Sequence, residues 1–364
     1  MNRARCGLTA RRSAAALLSV SALWCVAGLT PAQAQQADAA RLTAVRMCVY
    51  DPSGMAGDAW RAATDHRLEM QQHGVDLVVQ PYTNERVAVE DYRTGRCDAL
   101  MATALRTRAF HGMAAALDAM GAATVVRGER VDLDASFEVV RRFVEVLSEP
   151  KAAEMMVSGE HEVGGVLPMG AAYAFSRDRR LNVLSGLQGR KVATLDHDPA
   201  QAELVRRLGG TPVAADTLNF GAMFNNGHVD VVIAPTIAYK PLELHRGLGT
   251  QGGVSRFPLT IYTYQLVLRR SAVPAGFGQR SRSYMAQNFD LAIASLRLAD
   301  RGVPAAQWVD VPAGSVLPAV SLLADVRRTM MEQGQYDARG LRLARRLRCE
   351  QAPAAAECVG NDPW

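Results

Sequence analysis

The sequence predicts an α/β protein with two lobes, each a β-α-β-α-β unit, and additional C-terminal helices. The chain has 364 residues, of which 49% are hydrophobic, so it exceeds one ordinary small domain and can bury substantial cores. The same order of strands and helices occurs twice, in a pattern typical of parallel strands joined by helices. Each unit is expected to form its own parallel sheet, and the strand ends of the two lobes should face one cleft.

The first unit begins and ends with an apolar strand. Glycines follow both predicted helices as stop signals, and Thr83 or Asn84 can cap the second helix. The predicted elements are a strand at 45–50, a helix at 58–72, a strand at 75–79, a helix from 83 or 84 to 94, and a strand at 98–103.

The second unit repeats this order. Its predicted elements are a strand at 191–195, a helix at 200–208, a strand at 211–214, a helix capped by Asp216 or Thr217, and a strand at 229–234. Both units enter the third strand through a glycine and a short acid, Gly95 to Asp98 and Gly227 to Asp230. The shared phrase predicts a helix end followed by a tight turn before a buried parallel strand.

Segments outside the two units are expected to connect and cover them. They are a helix pair at 135–157 broken at Pro150, strands at 162–167 and 259–269 that carry the chain between lobes, and helices at 288–299 and 316–332. The predicted domains are a signal peptide at 1–34, lobe one at 41–165 (completed by residues after about 255), lobe two at 166–254, a crossover strand with C-terminal helices at 255–348, and a disulfide-closed tail at 349–364.

The N-terminus has the layout of a cleavable secretory signal. A basic segment to Arg12 precedes an apolar stretch at 13–29, and Ala32-Gln33-Ala34 fits the cleavage site. An uncleaved anchor helix is the alternative. Cleavage removes four arginines and no acid, which leaves 37 basic and 36 acidic residues. This near-neutral balance argues against nucleic-acid binding, and no later stretch is apolar enough for membrane insertion.

Cleavage also leaves four cysteines in a chain bound for an oxidising compartment. No Cys-x-x-Cys occurs, which argues against a zinc or thioredoxin-like site. Three pairings of the four cysteines are possible. Cys48 on the first strand and Cys97 before the third belong to elements that can be neighbours, and Cys349 and Cys358 flank a short tail segment. We expect these two pairs to form disulfides.

Three phrases in the second unit resemble the periplasmic solute-binding proteins of TRAP transporters. They lie at 187–193, 208–213 and 226–230, and the overall similarity covers about residues 45–300, most densely 181–234. The resemblance implies a two-lobed fold like that of type II periplasmic binding proteins. It also implies a periplasmic location, a small-molecule solute in the interlobe cleft, and inner-membrane transporter subunits as partners. Ala193 is a departure, because the family carries there the arginine that grips a substrate carboxylate.

Polar residues that follow strands and precede helices are the candidate ligand contacts. They are Asp51, Ser53, Tyr82, Asn84, Arg86, Thr103, Arg106 and Arg108 in lobe one, and Asp196, Asp198, Asn219, Thr236 and Tyr239 in lobe two. Arg106 or Arg108 can replace the arginine absent at position 193 as an anion clamp, with solvated loop arginines as the alternative. Met169, Tyr173 and Phe175 are candidates for an apolar wall, with core packing as the alternative.

Motifs for catalysis or cofactors lack the context they need. The G-x-G-x-x-G match at 247–252 has no strand before it and no helix after it. The adjacent residues of Asp196-His197-Asp198 cannot converge on one metal, and we interpret them as a helix cap before Pro199. The sequence therefore predicts a protein that is not an enzyme, with no cofactor and no metal site.

These observations favour an exported binding protein for a small polar solute, anionic if Arg106 or Arg108 forms the clamp. A periplasmic enzyme on the same two-lobe scaffold is one alternative. The other is an envelope protein of an efflux or sensor assembly that acts through protein contacts.

We predict that the mature protein begins at Gln35, after cleavage behind Ala34. Intact-mass analysis of the exported protein should show the loss of residues 1–34. A mass that retains these residues, or a lipid on Cys25, would contradict the cleavable signal.

Overall fold

The computed structural model describes residues 42–359 of the chain. The predicted signal peptide at 1–34, its cleavage site and the last residues of the predicted tail, 360–364, lie outside the described residues. Across 42–359, no helix combines the length and the apolar character that crossing a membrane requires.

The strands alternate with helices through both predicted units. The strands are β1 (Thr43–Tyr50), β2 (Val75–Tyr82), β3 (Ala99–Thr103), β4 (Val125–Arg127), β5 (Arg130–Asp132), β6 (Val157–Ser158), β7 (His161–Ser176), β8 (Lys191–Leu195), β9 (Thr211–Ala215), β10 (Val231–Pro235), β11 (Gly253–Ser255), β12 (Thr260–Arg269) and β13 (Trp308–Val309).

Thirteen α-helices lie within the described residues. They are α1 (Asp58–Gln71), α2 (Glu85–Arg93), α3 (Ala104–Thr107), α4 (Gly112–Ala115), α5 (Leu133–Ser148), α6 (Pro199–Arg207), α7 (Phe220–Asn225), α8 (Leu244–Leu248), α9 (Phe277–Gln287), α10 (Phe289–Arg301), α11 (Val316–Glu332), α12 (Ala338–Gln351) and α13 (Ala356–Val359). Short 3-10 helices include Gly54–Ala56, Ala116–Asp118, Pro150–Met156 and Thr236–Ala238.

The two predicted units are both present, and two long strands join them into one sheet. The strand order is β2-β1-β3-β12-β7-β10-β8-β9. Within each unit the strands pair in parallel, whereas β7 and β12 run antiparallel to their neighbours. The expectation of separate sheets is therefore replaced by two parallel units, the cores of lobe one (β1–β3) and lobe two (β8–β10), on either side of a central antiparallel pair.

The shared phrase before the third strand has the same structure in both units. The Asp98 carboxylate accepts a hydrogen bond from the backbone N–H of Arg46 on β1, at 3.1 Å. The Asp230 carboxylate accepts one from the backbone N–H of Lys191 on β8, at 2.8 Å. In each unit the aspartate therefore connects the entry of the third strand to the first strand, and the internal repeat extends to individual hydrogen bonds.

β7 is longer than its prediction, which ended at Leu167 before Pro168. Proline has no N–H to donate to a ladder and is tolerated in a sheet at irregular positions. Pro168 lies opposite Thr263 and Gly170 opposite Tyr262, so Met169 is an extra residue in a β-bulge. The bulge lets the strand continue past the proline and lie in both lobes.

The C-terminal half is more helical than predicted. The predicted helix pair at 135–157 is α5 followed by a 3-10 helix at Pro150–Met156, and α9 and α12 were not predicted. α12 carries many arginines, yet Leu341, Leu343, Ala344 and Leu347 are buried on one face. Tertiary packing of that narrow apolar face stabilises a helix that composition alone does not indicate.

Both expected disulfides are present. Cys48 and Cys97 are fully buried, with Cα atoms 5.8 Å apart, and β1 pairs with the strand that follows Cys97. Cys349 and Cys358 join α12 to α13 with Cα atoms 5.5 Å apart. Disulfides of this kind typically stabilise a protein by about 2–4 kcal/mol, less for short loops, so the longer Cys48–Cys97 loop should contribute more.

His66 on α1 is fully buried against α9 and β7. Its Nε2 lies 3.0 Å from the hydroxyl oxygen of Ser281, and that hydroxyl donates to the carbonyl of Gly164 at 2.5 Å. The single hydrogen of the Ser281 hydroxyl is used in the bond to Gly164, so Nε2 of His66 carries a hydrogen and donates it to the Ser281 oxygen. Burial lowers the pKa of His66 to about 3.

We predict that His66→Gln reduces the acid sensitivity of the fold. The pKa of His66 is about 6.5 in the unfolded chain and is lowered in the folded protein. The contribution of neutral His66 to the free energy of unfolding is therefore fully present above about pH 6.5 and is lost as the pH falls toward 3. The loss reaches about 2.7 kcal/mol at pH 4.5, since one pKa unit equals about 1.36 kcal/mol. Urea unfolding at pH 7 and pH 4.5 should show a smaller difference for the variant than for wild type. The exposed His228→Gln is the matched control, and an unchanged difference in His66→Gln would contradict the assignment.

Candidate functional site

A cavity of about 50 Å³ lies where the strand ends of the two lobes meet. Its wall is largely apolar and aromatic, and both lobes and both central strands contribute to it. The lining residues are Tyr50, Pro52, Thr103 and Leu105 from lobe one, Leu195, Thr217, Phe220, Ile233, Pro235, Ala238 and Leu242 from lobe two, and Met169 and Tyr262 from β7 and β12. The bulge in β7 therefore places Met169 in the wall of this cavity.

Ion pairs connect the lobes beside the cavity. Arg86 on α2 donates to the Asp196 carboxylate, which follows β8 directly, at 2.6 Å. Arg106 on α3 reaches the other oxygen of the same carboxylate at 3.5 Å, and Arg86 lies 3.8 Å from Asp216. One carboxylate of lobe two is thus held by two guanidinium groups of lobe one, and the cleft is closed at this rim.

Asp196 is ionised in this setting. Burial alone would raise its pKa, but the hydrogen bond with His197 and the charges of Arg106 and Arg86 outweigh that effect and hold the pKa below its usual value. The nearest His197 atom, Nδ1, lies 2.9 Å from the carboxylate. The rim therefore contains an anion from lobe two between cations from lobe one.

Arg106 has a second carboxylate partner inside its own lobe. Glu85 is fully buried, and its Oε1 accepts hydrogen bonds from the backbone and hydroxyl of Thr103 at 2.8 and 2.6 Å. Its Oε2 lies 3.5 Å from Nε of Arg106 and accepts no hydrogen bond from the described residues. Burial raises the pKa of Glu85, opposed by the Thr103 hydrogen bonds and by Arg106. Glu85 thereby holds Arg106 beside the cavity-lining Thr103.

Arg108 occupies a different environment. None of its three side-chain nitrogens makes a hydrogen bond within residues 42–359, its nearest carboxylate oxygen, on Asp198, is 3.7 Å away, and its guanidinium lies 5.2 Å from the ring centre of Tyr336. Asp118 is buried nearby, and burial raises its pKa to about 7 despite two hydrogen bonds from Thr263. Arg108 thus belongs to a buried charge cluster and not to the cavity wall.

The carboxylate of Asp51 is used in hydrogen bonds near the start of α1. It accepts backbone hydrogen bonds from Ser53 at 2.8 Å and Ala59 at 2.9 Å. A Cβ atom at Gly57 would lie 1.9 Å from this carboxylate, so the close approach requires glycine there. Asp51 is therefore a helix cap, consistent with the preference of short acids for helix N-termini.

Most of the other predicted contacts also have structural partners. Asn84 caps α2 through Val87 N–H, Asp198 caps α6 through Ala200 N–H, Tyr82 donates to Asp91, Asn219 accepts from Asp216 N–H, Thr236 donates to Asp300, and Tyr239 donates to Gln307. Asp51, Ser53, Thr236 and Tyr239 line a neighbouring groove of about 300 Å³ beside α10. Of the thirteen candidates, the structure brings together Thr103, Arg86, Arg106 and Asp196 at the cavity and its rim.

The apolar part of the site was largely missed by the sequence reasoning. Tyr50, Leu105, Phe220 and Tyr262 lie on strands or short helices where apolar residues usually indicate core, so no local signal distinguishes them. Met169 lines the cavity as expected, whereas Tyr173 packs against Trp308 with ring centres 4.9 Å apart. Phe175 is fully buried in the core.

Ala193 is 4% exposed within β8, where it pairs with Val213 and Val232. This position therefore contributes no charge to the cleft. The described residues contain no cluster of acids, histidines or cysteines that could hold a metal ion. A larger cavity, about 650 Å³, lies away from the cleft near Trp308 and the β4–β5 hairpin.

The two-lobed α/β fold with a cavity between its lobes is that of periplasmic solute-binding proteins. A TRAP periplasmic solute-binding protein from Desulfovibrio salexigens with bound orotic acid superposes with a TM-score of 0.67, at 13% identity, over 86% of this chain and 100% of that one. One from Shewanella oneidensis with bound succinate has a TM-score of 0.65, at 10% identity, over 84% of this chain and 99% of that one.

Sequence relatives identify the family within this class. Residues 71–363 match the family described as solute-binding protein AdeT 1/2. The probable solute-binding protein AdeT1 of Acinetobacter baumannii is 36% identical over 86% of this chain and 100% of its own length. The probable solute-binding protein AdeT2 of the same organism is 28% identical over 60% of this chain and 92% of its own length. The chain belongs to the AdeT 1/2 family of solute-binding proteins.

We predict that Arg108→Met destabilises the fold far more than Arg86→Met. Removing Arg108 leaves the buried carboxylate of Asp198, 3.7 Å from the guanidinium, without its cation, and breaking a buried charge pair typically costs about 3–5 kcal/mol. Arg86 is 55% exposed, and exposed pairs contribute about 1 kcal/mol or less. Urea unfolding at pH 7 measures both effects. Equal stability of the two variants would show that Arg108 is not a structural charge.

Proposed function

We propose that this exported protein captures a small solute between its lobes and delivers it to a transporter in the inner membrane. The main observation that supports this proposal is the cavity enclosed by both lobes and both central strands. Ligands of open α/β sheets collect beyond the carboxyl ends of the strands, and here those ends converge from two parallel units.

Closure of the lobes around the solute follows from the size of the cavity. Ligand pockets usually measure about 300–1,000 Å³, several times the 50 Å³ between these lobes. The lobes must therefore move apart to admit a solute and hold it between them. β7 and β12, which pass through both lobes, are the natural hinge for such a motion.

The chemistry of the site supports a solute that has an apolar or aromatic body and an acidic group. The wall beside Phe220 and Tyr262 accepts an apolar or aromatic body, and the guanidinium groups of Arg86 and Arg106 at the rim suit an acidic group. The two structural neighbours were described with orotic acid and succinate, both of which are carboxylic acids. We extend that ligand class to this protein as a small acid, with Arg106 as the principal clamp.

Binding without catalysis is the role that the cavity wall supports. The polar groups in that wall are two tyrosines and two threonines, and none of its residues is a carboxylate, a histidine or a cysteine. General acid–base or nucleophilic catalysis draws mainly on the groups that this wall lacks. The family and the predicted signal support the periplasm as the location and a transporter as the partner.

We predict that Ala238→Leu lowers solute affinity at least tenfold. The added atoms enter the cavity and prevent the lobes from closing on a ligand. A thermal-shift screen of small acids with wild type identifies a solute, because a ligand of the native state raises the melting temperature. Titration calorimetry then compares the variants.

The control is Ala222→Leu, the same change at an exposed position on α7. It should bind like wild type. If Ala238→Leu also binds like wild type, the solute does not occupy the interlobe cavity and the proposed function fails at its central point.

A further inference from the structure

The carboxylate of Asp196 occupies the two guanidinium groups that an acidic solute would need. It reaches Arg86 at 2.6 Å and Arg106 at 3.5 Å, through different oxygens. This is a two-point arrangement of one carboxylate between two arginines, as expected for a bound acid. The carboxylate of Asp196 thus binds the same two arginines that would bind the carboxylate of the proposed solute.

The position of Asp196 makes this contact dependent on closure. Asp196 follows the last residue of β8 in lobe two, whereas Arg86 and Arg106 belong to α2 and α3 of lobe one. Because the partners belong to different lobes, opening of the cleft would separate them and closure would return the internal carboxylate to the arginines. An intramolecular competitor acts at a high effective concentration, so it weakens the binding of any external carboxylate.

Arg106 cannot serve both carboxylates and a solute at once. Glu85 already faces its Nε at 3.5 Å from within lobe one, and Asp196 faces a terminal nitrogen. A third negative group would leave the guanidinium surrounded by an excess of negative charge. Binding of an acid therefore requires that Asp196 leave, whereas Glu85, fully buried and hydrogen-bonded to Thr103, stays.

We infer that Asp196 is a specificity-determining residue, which competes with acidic solutes for Arg86 and Arg106 and so lowers the affinity of the cleft for carboxylates relative to neutral solutes. The inference rests on the proposed function, since it concerns the same cleft. The ion pairs at this rim are partly exposed, with Asp196 at 37%, so each contributes modestly. Removing the charge should raise carboxylate affinity roughly five- to tenfold.

The experiment is calorimetric titration of wild type and Asp196→Asn with defined probes. Succinate and orotate are the acids, and succinamide and orotamide are their neutral counterparts. We expect Asp196→Asn to bind at least one acid about fivefold or more tightly than wild type, with no gain for the amides. The gain should disappear in the double variant Asp196→Asn/Arg106→Ala, because the freed clamp is then removed.

Asp178→Asn is the matched control, since Asp178 pairs with Arg180 and lines neither the cavity nor its rim. It should leave every affinity unchanged. Equal or weaker acid binding by Asp196→Asn overturns the inference, and so does acid binding by neither protein while a neutral solute from the screen binds wild type. That second outcome leaves solute capture intact, whereas failure of the proposed function is recognised separately by solute binding that Ala238→Leu does not affect.

Discussion

The antiparallel pairing of β7 with β12 is the constraint on which the rest of the structure depends. Each of these strands has one lobe's parallel unit along its outer edge, β3 beside β12 and β10 beside β7. The hydrogen-bond ladder between them therefore sets how the two units face each other. The bulge at Met169 interrupts that ladder beside the cavity, so the element that joins the lobes also forms part of the cavity wall.

The charged side chains around the cleft fall into a buried group and an exposed group, and loss of a partner has a different cost in each group. Glu85 is fully buried and hydrogen-bonded to Thr103, and the guanidinium nitrogens of Arg108 are buried beside Asp198, so removal of a partner would leave a poorly hydrated charge. Arg86 and Asp196 lie at the rim, where water screens them and their contact can break at small cost. The proposed opening of the cleft requires this division, because the surfaces that separate must be distinct from the framework that stays intact.

Polar residues at strand ends serve two purposes that a sequence does not separate. Asp51, Asn84 and Asp198 stand where ligand contacts are expected, yet each accepts hydrogen bonds from the first turn of a helix. A helix N-terminus has free N–H groups that need an acceptor, and a short side chain nearby supplies it. Local spacing predicts that such residues lie near the cleft, but the cap contact already uses their acceptor atoms.

The amino-acid sequence by itself determined the two β-α-β-α-β units, the aspartates before their third strands and the two disulfides. These features rest on local periodicity, on turn residues and on elements close in the sheet order. Only the tertiary structure decided that Arg106 faces the cavity rim while Arg108, two residues on, is buried with Asp198 and Tyr336. It also decided that Asp196 meets Arg86, 110 residues away. The reason is physical: such contacts form between lobes, and their geometry depends on how β7 and β12 join the two units.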